Sequence, residues 1–252
     1  MLICPDKKFI FFKPMKCAGT SVEHALLDVA GNDAVCAGSS HNYVVEYDEK
    51  NYKNNPYNLN HAHAYPDYFY RCIIDPELYT EYTHITVVRN PWDMMVSYYW
   101  WCIKNPASYD QAGGSGYHRQ CLITGDEPNR DICLKFENSM TLATGYDTCS
   151  LAKDLGFADA IASPLIYASM IGRKFLDNRI NCYLRYENLQ NDYNKLCKAI
   201  GVESTMLPHH KRGVRKLDLH YSQYFTDWMR DEVEYYFGDY IEKFGYEFEN
   251  GV

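Results

Sequence analysis

Closely spaced cysteines are missing from this sequence. Its ten cysteines are scattered, none nearer to another than Cys121 is to Cys133, and no Cys-x-x-Cys occurs. That spacing disfavours a zinc ribbon or a dithiol redox motif and reads as free, mostly buried thiols in a reducing compartment. Positive charge is in deficit: 25 Lys and Arg stand against 33 Asp and Glu, a formal net charge of −8. Such a chain lacks the basic field that non-specific nucleic-acid binding requires, so cations for any anionic ligand must be gathered locally. Long apolar runs are lacking too. VSYYWWCI, from Val96 to Ile103, is far short of the ~20 residues of a membrane span. FIFF is too short for a secretory signal core. The expectation is a soluble, cytoplasmic protein with no membrane span and no nucleic-acid partner.

What is abundant is tyrosine, at 24 residues, with asparagines clustered between Asn42 and Asn60. The 252 residues suffice for one α/β domain that buries roughly 70–75% of its unfolded surface. No internal repeat or low-complexity tract interrupts them. Lys8–Lys13 (KFIFFK), Thr83–Val88 (THITVV) and Asn181–Tyr186 (NCYLRY) read as short strands. Helical spacing recurs at Val22, Ala25, Leu26, Val29 and Ala30, stopped by Gly31-Asn32. It returns at Trp92, Met95, Val96, Tyr99 and Ile103, behind an Asn90 cap and Pro91 at the first helical position. LQNDYNKLCKAIG forms a further helix, and Phe225, Trp228, Met229, Val233, Tyr236 and Phe237 mark the face of the last one. Strands alternating with helices predict an α/β fold, a single domain over 1–252 with a central, mostly parallel sheet covered on both sides. Loop or lid insertions are expected at about 38–70 and 104–131, the second containing AGGSG.

KPMKCAGTS, from Lys13 to Ser21, joins the first of these strands to a helix. Ala18 and Gly19 keep the backbone bare, so that amide N–H groups can approach an anion. Thr20 and Ser21 add hydroxyls at the positive end of the helix dipole. Lys16 supplies a full charge, and Lys13 is a candidate second. The nucleotide-triphosphatase pattern G-x-x-x-x-G-K-[ST] is not met, because the lysine precedes the glycine. An ordinary strand-to-helix turn with a surface lysine is the competing reading.

THITVVRNPWDMMVSYYW repeats the arrangement. Arg89 ends a strand as a bidentate anion partner, and Ser97 offers a hydroxyl from the second helical turn. At about 100° per residue, Ser97 and Asp93 both point away from the apolar face. A salt-bridged arginine and a solvated serine would give the same pattern. Two anion-binding strand ends on one sheet suit a ligand with two separated anionic groups, such as a nucleotide phosphorylated at both ends.

Together, KPMKCAGTS and VVRNPWDMMVSYYW resemble the sulfotransferases that use 3′-phosphoadenosine 5′-phosphosulfate (PAPS). YLRYENLQNDYNKL resembles that family's strand-Tyr-Glu-helix segment, and FGYEFE its carbohydrate-type, Golgi-like branch. The resemblance implies a P-loop-like, three-layer architecture and no metal. It implies that Lys16, Cys17, Ala18, Gly19, Thr20 and Ser21 hold the 5′-phosphosulfate, with Lys16 stabilising charge on the bridging oxygen. Arg89 and Ser97 would hold the 3′-phosphate, Tyr186 would lie near the adenine, and Arg212 with Gly213 would add a phosphate contact from the basic stretch His209–Lys216. The product would be 3′-phosphoadenosine 5′-phosphate (PAP). Many relatives carry His-x-Pro-Lys where this chain has Lys13-Pro14-Met15-Lys16, and Thr or Ser at Cys17, so Lys13 adds charge beside the donor.

The acceptor's proton needs a base, and a histidine near its usual pKa of about 6.5 suits neutral pH. NLNHAHAYPDYF offers His63 and then His61, matching a His-x-His element of some carbohydrate sulfotransferases, where the second His is the base. The acceptor is expected to be a carbohydrate or a glycosylated or small metabolite. The same His61/His63 pair, completed by His41 or an Asp, would also fit a metal-dependent hydrolase. A non-catalytic nucleotide- or glycan-binding module is a third reading. Glu23, Asp93 and Glu187 are expected to be structural, the first two favouring the dipoles of their helices.

Overall fold

The computed structural model describes residues 1–31, 34–36, 65–72, 76–104, 156–162, 167, 176–208, 215 and 219–251. By its packing the chain divides into two compact units, Met1–Arg89 with Lys174–His210, and Asn90–Arg173 with Lys211–Val252.

Five described strands form one sheet in the first unit: β1 (Leu2–Cys4), β2 (Phe9–Phe12), β3 (Val35–Cys36), β4 (Thr83–Val88) and β5 (Cys182–Arg185), in the order β3-β1-β2-β4-β5. FIFF is wholly buried, as a strand covered on both faces must be, and its unbroken apolar run follows from that. β2 and β5 both pair parallel with β4, while β1 pairs antiparallel with β2 and with β3. The fold is α/β as expected, but the sheet is mixed rather than mostly parallel. The reason is the turn between Cys4 and Phe9. A parallel neighbour needs a crossover of a dozen or more residues, and four allow only a hairpin. Lys8, expected inside the strand, is instead a left-handed turn residue (φ 48°) whose N–H donates to the Pro5 carbonyl at 3.2 Å.

Helix α1 (Gly19–Ala30) buries Val22, Ala25, Leu26 and Ala30, much as its spacing predicts, and ends at a left-handed Gly31. Helix α2 (Pro66–Cys72) occupies the end of the first expected insertion. Its Phe69 is fully buried against Phe12, edge to face at 5.9 Å, and its Tyr70 hydroxyl meets His84 Nε2 at 2.5 Å.

The second unit is helical among its described residues. Helix α3 (Pro91–Lys104) packs with α4 (Phe157–Ala162), with a 3₁₀ turn (Tyr221–Tyr224) and with the last helix. It buries Trp92, Met95 and Val96 as expected, with Met94, Tyr98 and Cys102 beside them, while Ile103 is half-buried. Tyr99, also expected on the buried face, is half-buried and packs edge-on against Phe157 at 5.2 Å. In the first unit, α5 (Leu189–Ala199) closes on a left-handed Gly201. In the second, α6 (Asp227–Phe244) buries Met229, Val233, Tyr236, Phe237, Tyr240 and Phe244. Trp228 does not join them. It lies about 100° round the helix from Met229 and is 47% exposed. Cys4, Cys17, Cys36, Cys102, Cys182 and Cys197 are free thiols. Among the described residues no helix is long and apolar enough to cross a membrane.

Candidate active site

β2, β4 and β5 run parallel, and Phe12, Val88 and Arg185 lie at their carboxyl ends. The next residues along the chain are Lys13, Arg89 and Tyr186. Carboxyl ends of parallel strands are where α/β sheets bind ligands, because the loops to the following helices open there.

Between β2 and α1 the backbone turns sharply. Lys16 (φ 58°) and Ala18 (φ 57°) are both left-handed, a conformation uncommon for residues with a side chain. Such turns set successive N–H groups towards one concavity. The helix that follows has no side-chain cap and no acidic residue in its first turn. Ala18's carbonyl accepts from the N–H groups of Ser21 and Val22 at 2.9 and 3.3 Å, but the first amides of a helix have no acceptor within it. A positive helix end without a built-in counter-charge, reached through a turn of two left-handed residues, is the chemistry of an anion cradle. The Cys17 thiol is buried and donates to the Met15 carbonyl at 3.2 Å.

Packing requires glycine at position 19. A Cβ there would stand 2.5 Å from Cγ of Lys13 and 3.2 Å from the Pro14 carbonyl oxygen. Lys13 itself departs from expectation. It is 1% exposed, and its ammonium donates to Glu23 Oε2 at 2.5 Å. The Met1 amino group donates to Glu23 Oε1 at 3.0 Å. Burial alone would raise the Glu23 pKa, but these two cations reverse that and hold it at about 2. Glu23 is therefore the counter-ion of a buried lysine rather than a surface partner of the helix dipole.

Arg89 is 6% exposed. Its Nη1 donates to the Lys16 carbonyl at 2.5 Å, and its guanidinium lies 3.9 Å from the centre of the Tyr186 ring. The arginine thus holds the left-handed turn from below and stacks on the tyrosine beyond β5. Three residues singled out in the sequence, 73 and 97 positions apart, meet in one place. Asp192 completes the β5 end: it accepts from the Arg185 N–H and from Asn188 Nδ2, both at 3.0 Å.

In the second unit, Asn90 caps α3. Its Oδ1 accepts from the N–H groups of Trp92 and Asp93 at 3.1 and 3.3 Å. Its Nδ2 donates to the Tyr221 hydroxyl and to the Glu247 carbonyl, both at 3.2 Å. All four hydrogen-bonding positions of the amide are used, which fixes its orientation. The chain's end is held by the same cluster, with Phe248 edge-on to Trp92, Tyr221 and Phe225 and its ring beneath the Arg230 guanidinium. Asn90→Ala removes the cap, worth about 1 kcal/mol, and the two bonds from its Nδ2, each worth about 0.5–1.5 kcal/mol, although the Tyr221 hydroxyl keeps the Glu249 N–H at 2.8 Å. Thermal unfolding is expected to show a midpoint lower by several degrees, and a change below one degree would contradict this accounting.

The family model described as the sulfotransferase family matches residues 1–247. The chain belongs to the sulfotransferase family. No curated protein and no solved structure matches it.

In this sulfotransferase the expected site residues divide in three. Lys16, Cys17, Ala18, Gly19, Thr20, Ser21, Arg89 and Tyr186 fall together in the first unit, at the strand ends. Ser97 lies in the second unit, half-buried on α3, one helical turn beyond Asp93. His61, His63, Arg212 and Gly213 lie outside the described residues, as do His41 and most of both expected insertions. From the basic stretch only Arg215 is described, and it ion-pairs with Asp93 and donates to the Asp93 carbonyl at 3.2 Å. Among the described residues no group of three or more His, Cys, Asp or Glu is placed to hold a metal.

Proposed function

We propose that this sulfotransferase moves a sulfuryl group from PAPS to an acceptor hydroxyl and releases PAP. The observation that carries this reading is the convergence of Lys16, Arg89 and Tyr186 beside an uncapped helix start. The residues fit the donor's chemistry. The cradle of Lys16–Ser21 offers main-chain N–H groups, two hydroxyls and one ammonium to the 5′ end, and acidic side chains are missing from the first turn of α1. Arg89 would hold the 3′-phosphate, and Tyr186, 36% exposed, would lie near the adenine. Arg212 and Gly213 would extend the phosphate contact.

In the reaction the acceptor oxygen forms a bond to sulfur while the bond from sulfur to the phosphate oxygen breaks. Lys16 would neutralise the charge gathering on that oxygen. His63, or failing it His61, would take the hydroxyl proton. No metal has a task in this scheme. The acceptor class we favour is a carbohydrate or a glycosylated or small metabolite. Support comes from the family, which includes carbohydrate sulfotransferases, and from the FGYEFE ending.

Thermal unfolding with PAP, against magnesium-ATP and against zinc or manganese, tests the donor. A ligand at 100 times its dissociation constant adds about 2.7 kcal/mol, several degrees for a chain of this size. A shift with PAP and little with the others is expected. No shift with PAP but one with metal would overturn the proposal and favour a His61/His63 metal site.

A further inference from the structure

Beneath the cradle lies a charged group that the proposed reaction does not use. Lys13 leaves the end of β2, and Glu23 stands on α1 four residues beyond Gly19, so Gly19 and Glu23 share one face of the helix. The Lys13 side chain reaches both. Its Cγ fills the space a Gly19 side chain would need, and its Nζ sits 2.5 Å from Glu23 Oε2. Both residues are buried, at 1% and 5% exposure. The lysine therefore runs along the inner face of the first turn of α1, touching its first residue and ending on its fifth. The loop spanned by this contact, residues 14–18, is the one that holds Lys16 and Ala18 left-handed.

We infer that the Lys13–Glu23 pair is a positioning device for the donor's 5′ end, fixing the start of α1 against the loop that carries Lys16. A buried ion pair is a weak source of stability, and apolar side chains of similar volume often replace one without loss. What apolar packing does not reproduce is direction. An ammonium hydrogen-bonded to a carboxylate fixes how far the helix is turned and how far it has slid, whereas methylene contacts tolerate small rotations. Amides that must converge on one anion lose affinity when the helix start drifts by a fraction of an ångström. Lys13 thus acts through the cradle and without touching the ligand. It is not a second ammonium facing the donor, as its place in the sequence suggests.

This inference rests on the PAP-binding reading above, and its test keeps the two apart. Lys13→Met/Glu23→Met would be compared with the unaltered chain for binding of PAP, adenosine 5′-phosphate and adenosine 3′-phosphate by calorimetry, alongside the unfolding midpoint. The Met1 amino group, which also donates to Glu23 at 3.0 Å, loses its carboxylate in the double-methionine chain, so the midpoint is expected to fall by several degrees, and binding is compared at a temperature where both chains are folded. The dissociation constants for PAP and adenosine 5′-phosphate are expected to rise at least tenfold, with that for adenosine 3′-phosphate unchanged. Unaltered affinity for all three overturns the inference, and so does an equal loss for the 5′ and 3′ monophosphates, which would mean general loosening. If the unaltered chain binds no PAP, the functional reading fails instead. Should the double-methionine chain not fold, Lys13→Gln/Glu23→Gln carries the same comparison with the same outcomes.

Discussion

Lys16→Ala is expected to slow sulfuryl transfer roughly 10²–10³-fold, the cost of removing one well-placed stabiliser of developing charge. The substitution isolates the ammonium. Alanine bears the same left-handed penalty as lysine at φ 58°, so the turn is no more strained than before. The bond from Arg89 goes to the residue 16 carbonyl, which every residue has. Binding of PAP is expected to weaken far less, within about tenfold, because the charge that most needs Lys16 exists only as the sulfuryl group departs. The measurement is PAP released in a single turnover, with the acceptor that the unaltered enzyme uses fastest, set beside PAP affinity by calorimetry. A rate within threefold of the unaltered enzyme would remove Lys16 from the chemistry. A loss of rate matched by an equal loss of PAP affinity would make it a ground-state ligand only.

The strands that build the cradle were readable because each is a short run followed by a helical pattern, and the second of those helices carries its own start signal. Thr83–Val88 ends at an asparagine cap and a proline, and the structure keeps that boundary to the residue. β1 and β3 were not readable. Three and two residues long, they carry too little pattern to separate from a chain end or a loop, and with β1 went the antiparallel half of the sheet. The site followed the same division. Arg89 and Lys16 could be named from their places at strand ends, but not the bond between them, since nothing in a sequence marks a contact across 73 residues. Nor did Asn90 announce Tyr221 and Glu247, 131 and 157 residues away. Lys13 and Glu23 failed for another reason. Charged residues are almost never fully buried unless paired, so each alone reads as surface, and only the fold shows that they found one another.

Glu23→Gln is the substitution expected to cost most stability. The glutamine keeps the shape but removes the charge, leaving the Lys13 ammonium and the Met1 amino group, both buried, without the carboxylate they share. Breaking a buried pair from one side costs about 3–5 kcal/mol, on the order of 10 °C in unfolding midpoint for a chain of this size. The pH dependence separates this from a packing defect. In the folded chain Glu23 titrates at about 2, against an ordinary value of 4.5. A carboxyl whose pKa is lowered on folding contributes in full above its unfolded pKa, and the contribution drains away as pH falls towards the folded one. The gap between the unaltered protein and Glu23→Gln should therefore be widest near pH 7 and close progressively between about pH 4.5 and 2. Unfolding midpoints for both chains at pH 7, 4 and 3 measure it. Equal midpoints at pH 7, or a gap that does not narrow by pH 3, would show that Glu23 is not carrying its charge in the core. Either result would also take away the ion pair on which the positioning of the cradle depends.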